Sequence, residues 1–277
     1  MQNLRFPLNN GVTENEKWQV IDSSVNIWRK IMIIEHYESF RTKLKSSKLN
    51  QENWNILRTE STEMAYAIED SIEQYEYNCM KSKSYELSAE KIIELLKKYD
   101  CKYVVGLGSG KGILEWHLKK LMPELYVECT DYAEASVNKL KKVFTECDGF
   151  RSFDMLHGDY TIFGSNACFV LYRVSEEFSY EDWCKVFNKM KTGGVHNIIY
   201  IPDMLATKEL AERMKQKHIR QIEKGLDSIF CGWIYSEDIL EKMFAAGQYK
   251  IVQKYPVGDL IMYYLRADRV IIDSVVM

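Results

Sequence analysis

The sequence has few of the features that mark secreted, metal-binding, membrane or nucleic-acid-binding proteins. Its seven cysteines are odd in number and never spaced Cys-x-x-Cys, which argues against a disulfide framework and a zinc site. No apolar run is long enough to cross a membrane, and residues 1–18 lack the apolar core of a signal peptide, so we expect a cytoplasmic protein. The net charge of −3 gives no electrostatic reason to bind nucleic acid. We therefore predict no metal site, no membrane partner and no nucleic-acid partner.

Glycine is scarce in the first hundred residues, where Gly11 stands alone, and every other glycine follows residue 105. Since glycine marks tight turns between strands and helices, we predict a helical N-terminal cap over residues 1–90 and an α/β domain over residues 91–277. Apolar residues at helical spacing predict three helices in the first hundred residues, over 23–44, 53–80 and 89–99. The cap is rich in Trp and Tyr. These rings act as core anchors, or, for Tyr75 and Tyr77, as an aromatic lid over a ligand site.

From residue 103 onward, strand patterns alternate with helix patterns. Seven strands are predicted, over 103–107, 125–130, 150–156, 167–172, 195–201, 250–255 and 260–266. Five helices are predicted between them, over 111–121, 133–144, 180–190, 206–225 and 237–246. The short turn between the last two strands allows only an antiparallel pair. The pattern predicts a Rossmann-like α/β fold, which is a doubly wound, mostly parallel seven-stranded sheet with an antiparallel edge hairpin.

The first of these strands runs into a glycine loop, Tyr-Val-Val-Gly-Leu-Gly-Ser-Gly-Lys-Gly over residues 103–112. Such a loop presents bare backbone N–H groups to a ligand. The dinucleotide fingerprint Gly-x-Gly-x-x-Gly does not fit, because its third glycine falls on Lys111 or Ile113. The P-loop pattern does not fit either, because its first position is Val105 and its last is Gly112. Spacing therefore excludes both of these nucleotide sites.

Five markers in order resemble class I S-adenosylmethionine-dependent methyltransferases over about residues 90–266. The first motif of that family, an apolar pair, an acid and x-Gly-x-Gly-x-Gly, matches residues 104–112 at every glycine, and its Leu-Lys-Pro-Gly-Gly turn is similar to residues 190–194. The ribose acid matches Asp131, the adenine-side Gly-Asp matches residues 158–159, and the closing helix and strand pair resemble residues 236–266. The resemblance implies S-adenosylmethionine as cofactor and S-adenosylhomocysteine as product.

The resemblance also implies which residues hold the cofactor. The glycine loop lies against the methionine part, Asp131 binds the ribose with Tyr132 beside the adenine, and Asp159 accepts from the adenine amino group with Tyr160 nearby. The cofactor-binding residues are then Gly106, Gly108, Ser109, Gly110, Asp131, Tyr132, Asp159, Tyr160 and Tyr172. One position departs from the family pattern, because Gly106 replaces the acid that helps hold the methionine amino group. That contact is left to backbone carbonyls around Gly106 and Gly108, or to a residue of the N-terminal helices.

The acceptor side is predicted from the strand ends that open on the same crevice. Arg173 and Tyr172 leave the fourth strand there and are the candidate catalytic residues. Arg173 either clamps an acceptor carboxylate in bidentate fashion or forms a salt bridge with Glu176 or Glu177. The candidate substrate-binding residues are Tyr75, Tyr77, Arg173, Tyr200 and Asp203.

Together these features predict a methyltransferase that acts on oxygen. A carboxylate of a small metabolite or of a biosynthetic, natural-product peptide suits the sequence, because a carboxylate is ionised at neutral pH and needs a cationic holder but no base. The alternatives are N-methylation of a small amine and a non-catalytic protein that binds S-adenosylmethionine. The expected partner is a small-molecule or peptide acceptor. The apolar tail, residues 270–277, leaves open a homodimer contact.

Overall fold

A computed structural model of the protein describes residues 32–63 and 65–267. Its α-helices are α1 (Gln51–Thr59), α2 (Ile72–Lys81), α3 (Lys83–Lys98), α4 (Ile113–Leu121), α5 (Glu134–Val143), α6 (Tyr180–Thr192), α7 (Lys208–Glu223) and α8 (Glu237–Ala246). Its strands are β1 (Ile33–Glu38), β2 (Tyr103–Leu107), β3 (Tyr126–Asp131), β4 (Gly149–Ser152), β5 (Ala167–Tyr172), β6 (Asn197–Ile201), β7 (Ile229–Tyr235), β8 (Tyr249–Val257) and β9 (Leu260–Ala267). A short 3-10 helix spans Tyr160–Phe163. The tail that was considered as a dimer contact, residues 270–277, lies outside the described residues.

Seven strands form the central sheet in the order β4-β3-β2-β5-β6-β9-β8. The first five are parallel, and β9 pairs antiparallel with both β6 and β8. The parallel part has the order 3-2-1-4-5 of a doubly wound Rossmann sheet, in which the order reverses beside the first strand. The predicted fold class is confirmed, including the antiparallel hairpin at the edge.

The core lies on both faces of this sheet. On one face α6 and α8 bury large rings, among them Trp183, Phe187 and Phe244, each 0 or 1% exposed. On the other face α3 and α4 bury aliphatic side chains such as Leu96 and Leu118. Because helices cover both faces, the central strand β5 reads as an almost unbroken apolar run. The two covered faces leave the carboxyl edge of the parallel strands as the place where a ligand can bind.

The predicted helix over 23–44 is wrong where the structure describes it. Ile33–Glu38 is a strand, and residues 23–31 lie outside the described residues. Burial alternates along it, with Ile33 exposed and Ile34 and His36 buried, which is the period of a strand. β1 pairs antiparallel with β7, a strand that the sequence analysis did not predict. A short apolar run is compatible with the period of a helix and with that of a strand. Pairing with the distant strand β7 favours the strand here.

Three further boundaries differ from the predictions. The predicted helix over 53–80 is two helices, because α1 ends at its cap Glu60 and α2 begins after its cap Ser71. The helix predicted from residue 89 begins at Lys83, so α3 crosses residue 90, where the cap was predicted to end. The third predicted strand ends at Ser152 rather than residue 156, and this difference shifts which side chains reach the edge of the sheet.

Candidate functional site

A cavity of about 980 Å³ opens at the carboxyl edge of the parallel strands. The glycine loop after β2 and the loop after β5 form its floor, and residues of α1, β1 and α7 form its walls. Its volume is at the upper end of the range for small-molecule sites, about 300–1,000 Å³. The position agrees with the rule that ligands of open α/β sheets bind where the strand order reverses.

The glycine loop is shaped by positive backbone angles and held by hydrogen bonds. Gly108 and Gly110 have φ of 68° and 58°, which L side chains adopt only at a cost. The carbonyl of Gly106 accepts from Thr130 Oγ1 at 2.8 Å and from Ser109 Oγ at 3.1 Å. Ser109 N–H donates to the Thr130 carbonyl at 2.8 Å. Gly108, Ser109 and Gly110 line the cavity, so the loop presents backbone to it as the sequence predicted.

Asp131 ends β3 beside this loop and is 9% exposed. Its carboxylate accepts from Gly110 N–H at 2.7 Å and from Ala133 N–H at 2.8 Å. Burial raises the pKa of Asp131, while the nearby Arg58 guanidinium opposes that rise. Tyr132 is 40% exposed, and its carbonyl accepts from Gln51 on α1 at 2.8 Å. The acid predicted to bind the ribose therefore also fastens the glycine loop to β3.

Beside Gly106 lies a carboxylate that the sequence analysis missed. A Cβ atom built on Gly106 would overlap Oε1 of Glu115 and would lie 2.6 Å from Ser109 Oγ. Glu115 belongs to the first turn of α4 and is 3% exposed. Burial raises the pKa of this carboxyl from 4.5 to about 7, against the hydrogen bond from its own backbone N–H. The only sequence signal was an acid three residues after the last glycine of the loop.

Arg58 on α1 is a second residue that the sequence analysis missed. It lines the cavity, and its Nη2 would lie 2.9 Å from a Cβ atom on Gly110. Its Nη1 donates to the Tyr66 carbonyl at 2.8 Å, its guanidinium carbon lies 4.8 Å from the Trp54 ring centroid, and its buried Nε has no hydrogen-bond partner. Burial lowers the pKa of Arg58, and the Asp131 carboxylate opposes that.

Among the predicted cofactor residues, Gly108, Ser109, Gly110 and Tyr172 line the cavity, whereas Gly106, Asp131, Tyr132, Asp159 and Tyr160 do not. Asp159 is exposed and caps the 3-10 helix, where it accepts from Thr161 N–H at 2.9 Å and Thr161 Oγ1 at 2.7 Å. These hydrogen bonds lower its pKa. Tyr160 is 1% exposed and donates to the Met155 carbonyl at 2.7 Å. Because β4 ends at Ser152, Met155 reaches the glycine loop instead, with Cε 3.7 Å from a Cβ atom built on Gly108.

Tyr172, Arg173 and Asp203 line the cavity together, as the strand ends predicted. Arg173 Nε is bonded to Asp203 Oδ1, rather than to either of the two glutamates considered as partners. Burial would lower the pKa of Arg173, but the Asp203 carboxylate raises it. Arg173 also has a φ of 59°, which is uncommon for a residue with a side chain. The Tyr172 ring lies 4.9 Å from the ring of Tyr85 on α3.

The three tyrosines predicted to contact substrate are not among the residues lining the cavity. Tyr75 is fully buried and donates to the Lys111 carbonyl at 3.0 Å. Tyr77 is 48% exposed and bonds with Lys81 on the surface of α2. Tyr200 is 1% exposed and packs against aromatic core residues. The aromatic side chains that do line the cavity are Phe40, Trp54, Tyr66, Tyr85 and Tyr172.

The cavity is also lined by a charged network centred on His36 of β1. His36 Nδ1 lies 2.5 Å from Glu176 Oε2, and Nε2 lies 3.1 Å from Glu38 Oε1, which also bonds Lys217 of α7. Burial alone would lower the pKa of His36, but its hydrogen bonds to the two carboxylates raise it to about 9. Glu176 Oε1 is buried without a hydrogen-bond partner. Burial raises the pKa of the adjacent Glu177 to about 7.

Among residues 32–63 and 65–267, no group of three or more His, Cys, Asp or Glu side chains has an arrangement that would bind a metal ion. In the same part of the chain, no helix combines the length and apolarity needed to cross a membrane.

Comparison with known proteins supports the same fold. The chain is 32% identical over 65 residues to the ribosomal RNA large subunit methyltransferase G of Shewanella woodyi, which covers 24% of this chain and 16% of that protein. The structure of TnmH aligns with a TM-score of 0.50 at 11% identity, over 70% of this chain and 57% of that one. The magnesium protoporphyrin IX methyltransferase ChlM of Synechocystis, with bound S-adenosylhomocysteine, aligns with a TM-score of 0.49 at 13% identity, over 67% and 84%.

No family model matches the chain. The matched residues span 16% of the Shewanella protein and 57% of TnmH. The alignment with TnmH, at a TM-score of 0.50 and 11% identity, shows a shared fold alone. The resemblance to class I S-adenosylmethionine-dependent methyltransferases is confirmed at the level of that fold.

Proposed function

We propose that the chain is a class I S-adenosylmethionine-dependent methyltransferase, with donor and acceptor in one cavity. The observation that carries this proposal is one cavity of about 980 Å³ that is lined both by the glycine loop and by the charged pair Arg173–Asp203. A displacement reaction needs both reactants held in line and shielded from water, and one shared cavity provides that arrangement.

The residues around the glycine loop fit the proposed cofactor. Gly108 and Gly110 expose backbone where side chains would collide with Val174 and Arg58, so a ligand can approach the chain closely. Asp131 lies beside this loop and holds it through Gly110 N–H, which keeps its carboxylate at the sheet edge for a ribose diol. Met155 contributes an apolar surface at the same edge. We propose that Met155, three residues after the end of β4, lies on the adenine side, because its Cε approaches the glycine loop, whereas Asp159 and Tyr160 are engaged in hydrogen bonds of their own.

When bound, S-adenosylmethionine would supply an electrophilic methyl carbon. The work left to the protein is orientation, exclusion of water and, for some acceptors, removal of a proton. Trp54, Tyr66 and Tyr85 line the cavity and exclude water from its interior. Glu177, whose carboxyl has its pKa raised to about 7 by burial, faces the cavity and can take a proton near neutral pH.

The acceptor that we propose is a carboxylate of a small molecule or peptide in natural-product biosynthesis. Arg173 lines the cavity and uses Nε for Asp203, and Lys217 and Arg213 of α7 line the same cavity. A guanidinium held by a carboxylate at one edge keeps its orientation for a second carboxylate. The carboxylate is ionised at neutral pH, so this reaction needs no base.

The N-terminal residues contribute to acceptor recognition in this proposal. α1 places Trp54 and Arg58 in the cavity, and β1 places His36 and Glu38 there. β1 pairs with β7. We therefore include α7 and β7 in the cap that we propose over residues 1–90.

Calorimetry and mass spectrometry test the proposal. The wild-type protein should bind S-adenosylmethionine and S-adenosylhomocysteine, and incubation with carboxylate-bearing candidates should add the mass of one methylene. Arg173→Ala should raise the acceptor KM about tenfold or more, the loss expected for a charge-assisted hydrogen bond, without changing the affinity for S-adenosylhomocysteine. Arg151→Ala, at an arginine outside the cavity, is the matched control. Failure of the wild-type protein to bind either cofactor form would contradict the enzyme assignment.

One observation favours a second candidate, methylation of an amine. Glu176 Oε1 is buried at the cavity wall without a partner, which suits a donor group on the acceptor, and aromatic rings surround the same space. A cationic acceptor would bind less tightly as salt increases, and Glu176→Gln would weaken it while Arg173→Ala would not. The opposite result for these two variants supports the carboxylate.

A further inference from the structure

We propose that Glu115 and Arg58 form a clamp for the amino-acid end of the cofactor, with Glu115 holding the ammonium group and Arg58 the carboxylate. This inference rests on the proposed function, because it assumes that a methionine-bearing ligand occupies the glycine loop. Neither residue belongs to the sequence motif that indicated the cofactor. Glu115 thereby takes the place of the acid that is absent at position 106.

The first support is the position of Glu115. Its carboxylate fills the space that a side chain at Gly106 would need, since a Cβ atom there would overlap Oε1. Glu115 lines the cavity, is 3% exposed and has no salt bridge among the described residues. An acid buried without a cation is costly, and proteins keep such groups where a ligand completes them. The acid was therefore relocated from the strand end to the first turn of the next helix.

The second support is that the backbone cannot replace this acid. The Gly106 carbonyl already accepts from Thr130 Oγ1 and Ser109 Oγ, at 2.8 Å and 3.1 Å. A carbonyl has two lone pairs, so both are used within the protein. An ammonium group has three donors and no acceptor, and it needs an oxygen with spare lone pairs close to the loop. The carboxylate of Glu115 has about four lone-pair sites and can therefore accept such a donor in addition to its own backbone N–H.

The third support is the opposite charge at the other end of the loop. Arg58 Nη2 lies next to Gly110, and Arg58 Nε is buried without a hydrogen-bond partner. The guanidinium is fixed by the Tyr66 carbonyl through Nη1 and by the Trp54 ring. A planar fork held in this way is suited to a carboxylate. The loop therefore has a carboxylate at Gly106 and a guanidinium at Gly110, which matches the two charges of an amino acid.

Calorimetry with two ligands tests the clamp. S-adenosylhomocysteine carries the amino-acid end, whereas 5′-methylthioadenosine keeps the adenosine and thioether and lacks that end. Glu115→Gln and Arg58→Met should each weaken S-adenosylhomocysteine about tenfold or more, as expected for a charge-assisted hydrogen bond, and should change 5′-methylthioadenosine by less than about twofold. The matched controls are Glu128→Gln and Arg151→Met, a buried carboxylate and its ion-pair partner outside the cavity. Both should leave both ligands unchanged.

The outcomes separate the clamp from the proposed function. If the wild-type protein binds neither ligand, the proposed function fails. If it binds S-adenosylhomocysteine but both clamp variants bind it as tightly as wild type, only the clamp fails. An equal loss of both ligands in a variant with unchanged circular dichroism also contradicts the clamp, because the loss would not depend on the amino-acid end.

Moving the acid back to the strand provides a test that does not depend on a loss. Gly106→Asp alone should abolish binding of S-adenosylhomocysteine, because its Cβ would overlap the Glu115 carboxylate. In a Glu115→Ala/Ser109→Ala background, which removes both side-chain atoms that such a Cβ would meet, Gly106→Asp should tighten binding by about tenfold or more, since a carboxylate returns to the same space. A Gly106→Asp variant that binds no better than this background would overturn the inference.

Discussion

Replacing Glu115 by Gln should make the protein more stable at pH 8, although we expect the same change to weaken cofactor binding. Glu115 is 3% exposed, and burial raises the pKa of its carboxyl from 4.5 to about 7. The folded state therefore holds this proton more tightly than the unfolded state. The stability that this bound proton contributes is fully present below pH 4.5 and is lost as the pH rises through about 7. Gln cannot ionise, so the variant avoids that loss.

The magnitude follows from the pKa difference. The rise in pKa from 4.5 to about 7 means that the ionised Glu115 lowers the free energy of unfolding by about 3 kcal/mol at pH 8, since each pKa unit contributes about 1.4 kcal/mol. At pH 5 the loss is under about 1 kcal/mol, so the benefit of Gln should grow by about 2.5 kcal/mol between pH 5 and pH 8. For a chain of this size, that growth corresponds to a relative increase in melting temperature of about 5 °C.

Thermal melts of both proteins at pH 5 and pH 8 measure this difference. Any cost of burying the amide itself cancels, because it is the same at both pH values. Glu128→Gln is the control, since Glu128 is also buried but is bonded to Arg151 at 2.7 Å and to Tyr103. Because Glu128→Gln removes this ion pair, it should lower the melting temperature at pH 8. A pH-independent difference between wild type and Glu115→Gln would refute the reasoning that burial holds this carboxyl protonated.

Three other predictions concern the same site and its support. S-adenosylhomocysteine should bind about tenfold more tightly at pH 8 than at pH 6, because Glu115, with a pKa of about 7, must ionise to hold an ammonium group. Calorimetry should show that this pH dependence disappears in Glu115→Gln and persists unchanged in Glu177→Gln. Gly110→Ala should weaken S-adenosylhomocysteine about tenfold, since φ of 58° costs about 1–2 kcal/mol for a side chain and the new Cβ would lie 2.9 Å from Arg58 Nη2; unchanged calorimetric affinity would contradict this. Gly232→Ala should destabilise the fold by about 2 kcal/mol or more, because at φ of 139° its Cβ would overlap a backbone carbonyl of the loop after β5; denaturant melts that match wild type would exclude that close contact.

Most of the α/β body could be predicted because local signals agreed with the final fold. The glycine loop, the apolar run of β5 and the short turn between β8 and β9 each specify their structure within a few residues. The shape of the glycine loop was predictable for the same reason, and its residues Gly108, Ser109 and Gly110 line the cavity. Asp159 did not reach it, because β4 ends four residues earlier than the apolar pattern suggested.

The residues that line the rest of the site depended on contacts between distant parts of the chain. Ile33–Glu38 pairs with a strand almost two hundred residues away, and this pairing brings His36 to the cavity wall. Tyr75 and Tyr200 have the aromatic character of ligand-binding residues, yet packing buries both away from the cavity. Burial is a property of the assembled elements, and no local pattern reports it.

The sequence by itself determined the order of the strands in the seven-stranded sheet, the backbone shape of the glycine loop and the position of Asp131 at the end of β3. These features depend on neighbours along the chain, through periodicity and through backbone angles that glycine permits. Only the tertiary structure placed the Glu115 carboxylate against Gly106 and the Arg58 guanidinium against Gly110. Those two contacts join separate elements across the loop, and the packing of α1 and α4 on the sheet decides them.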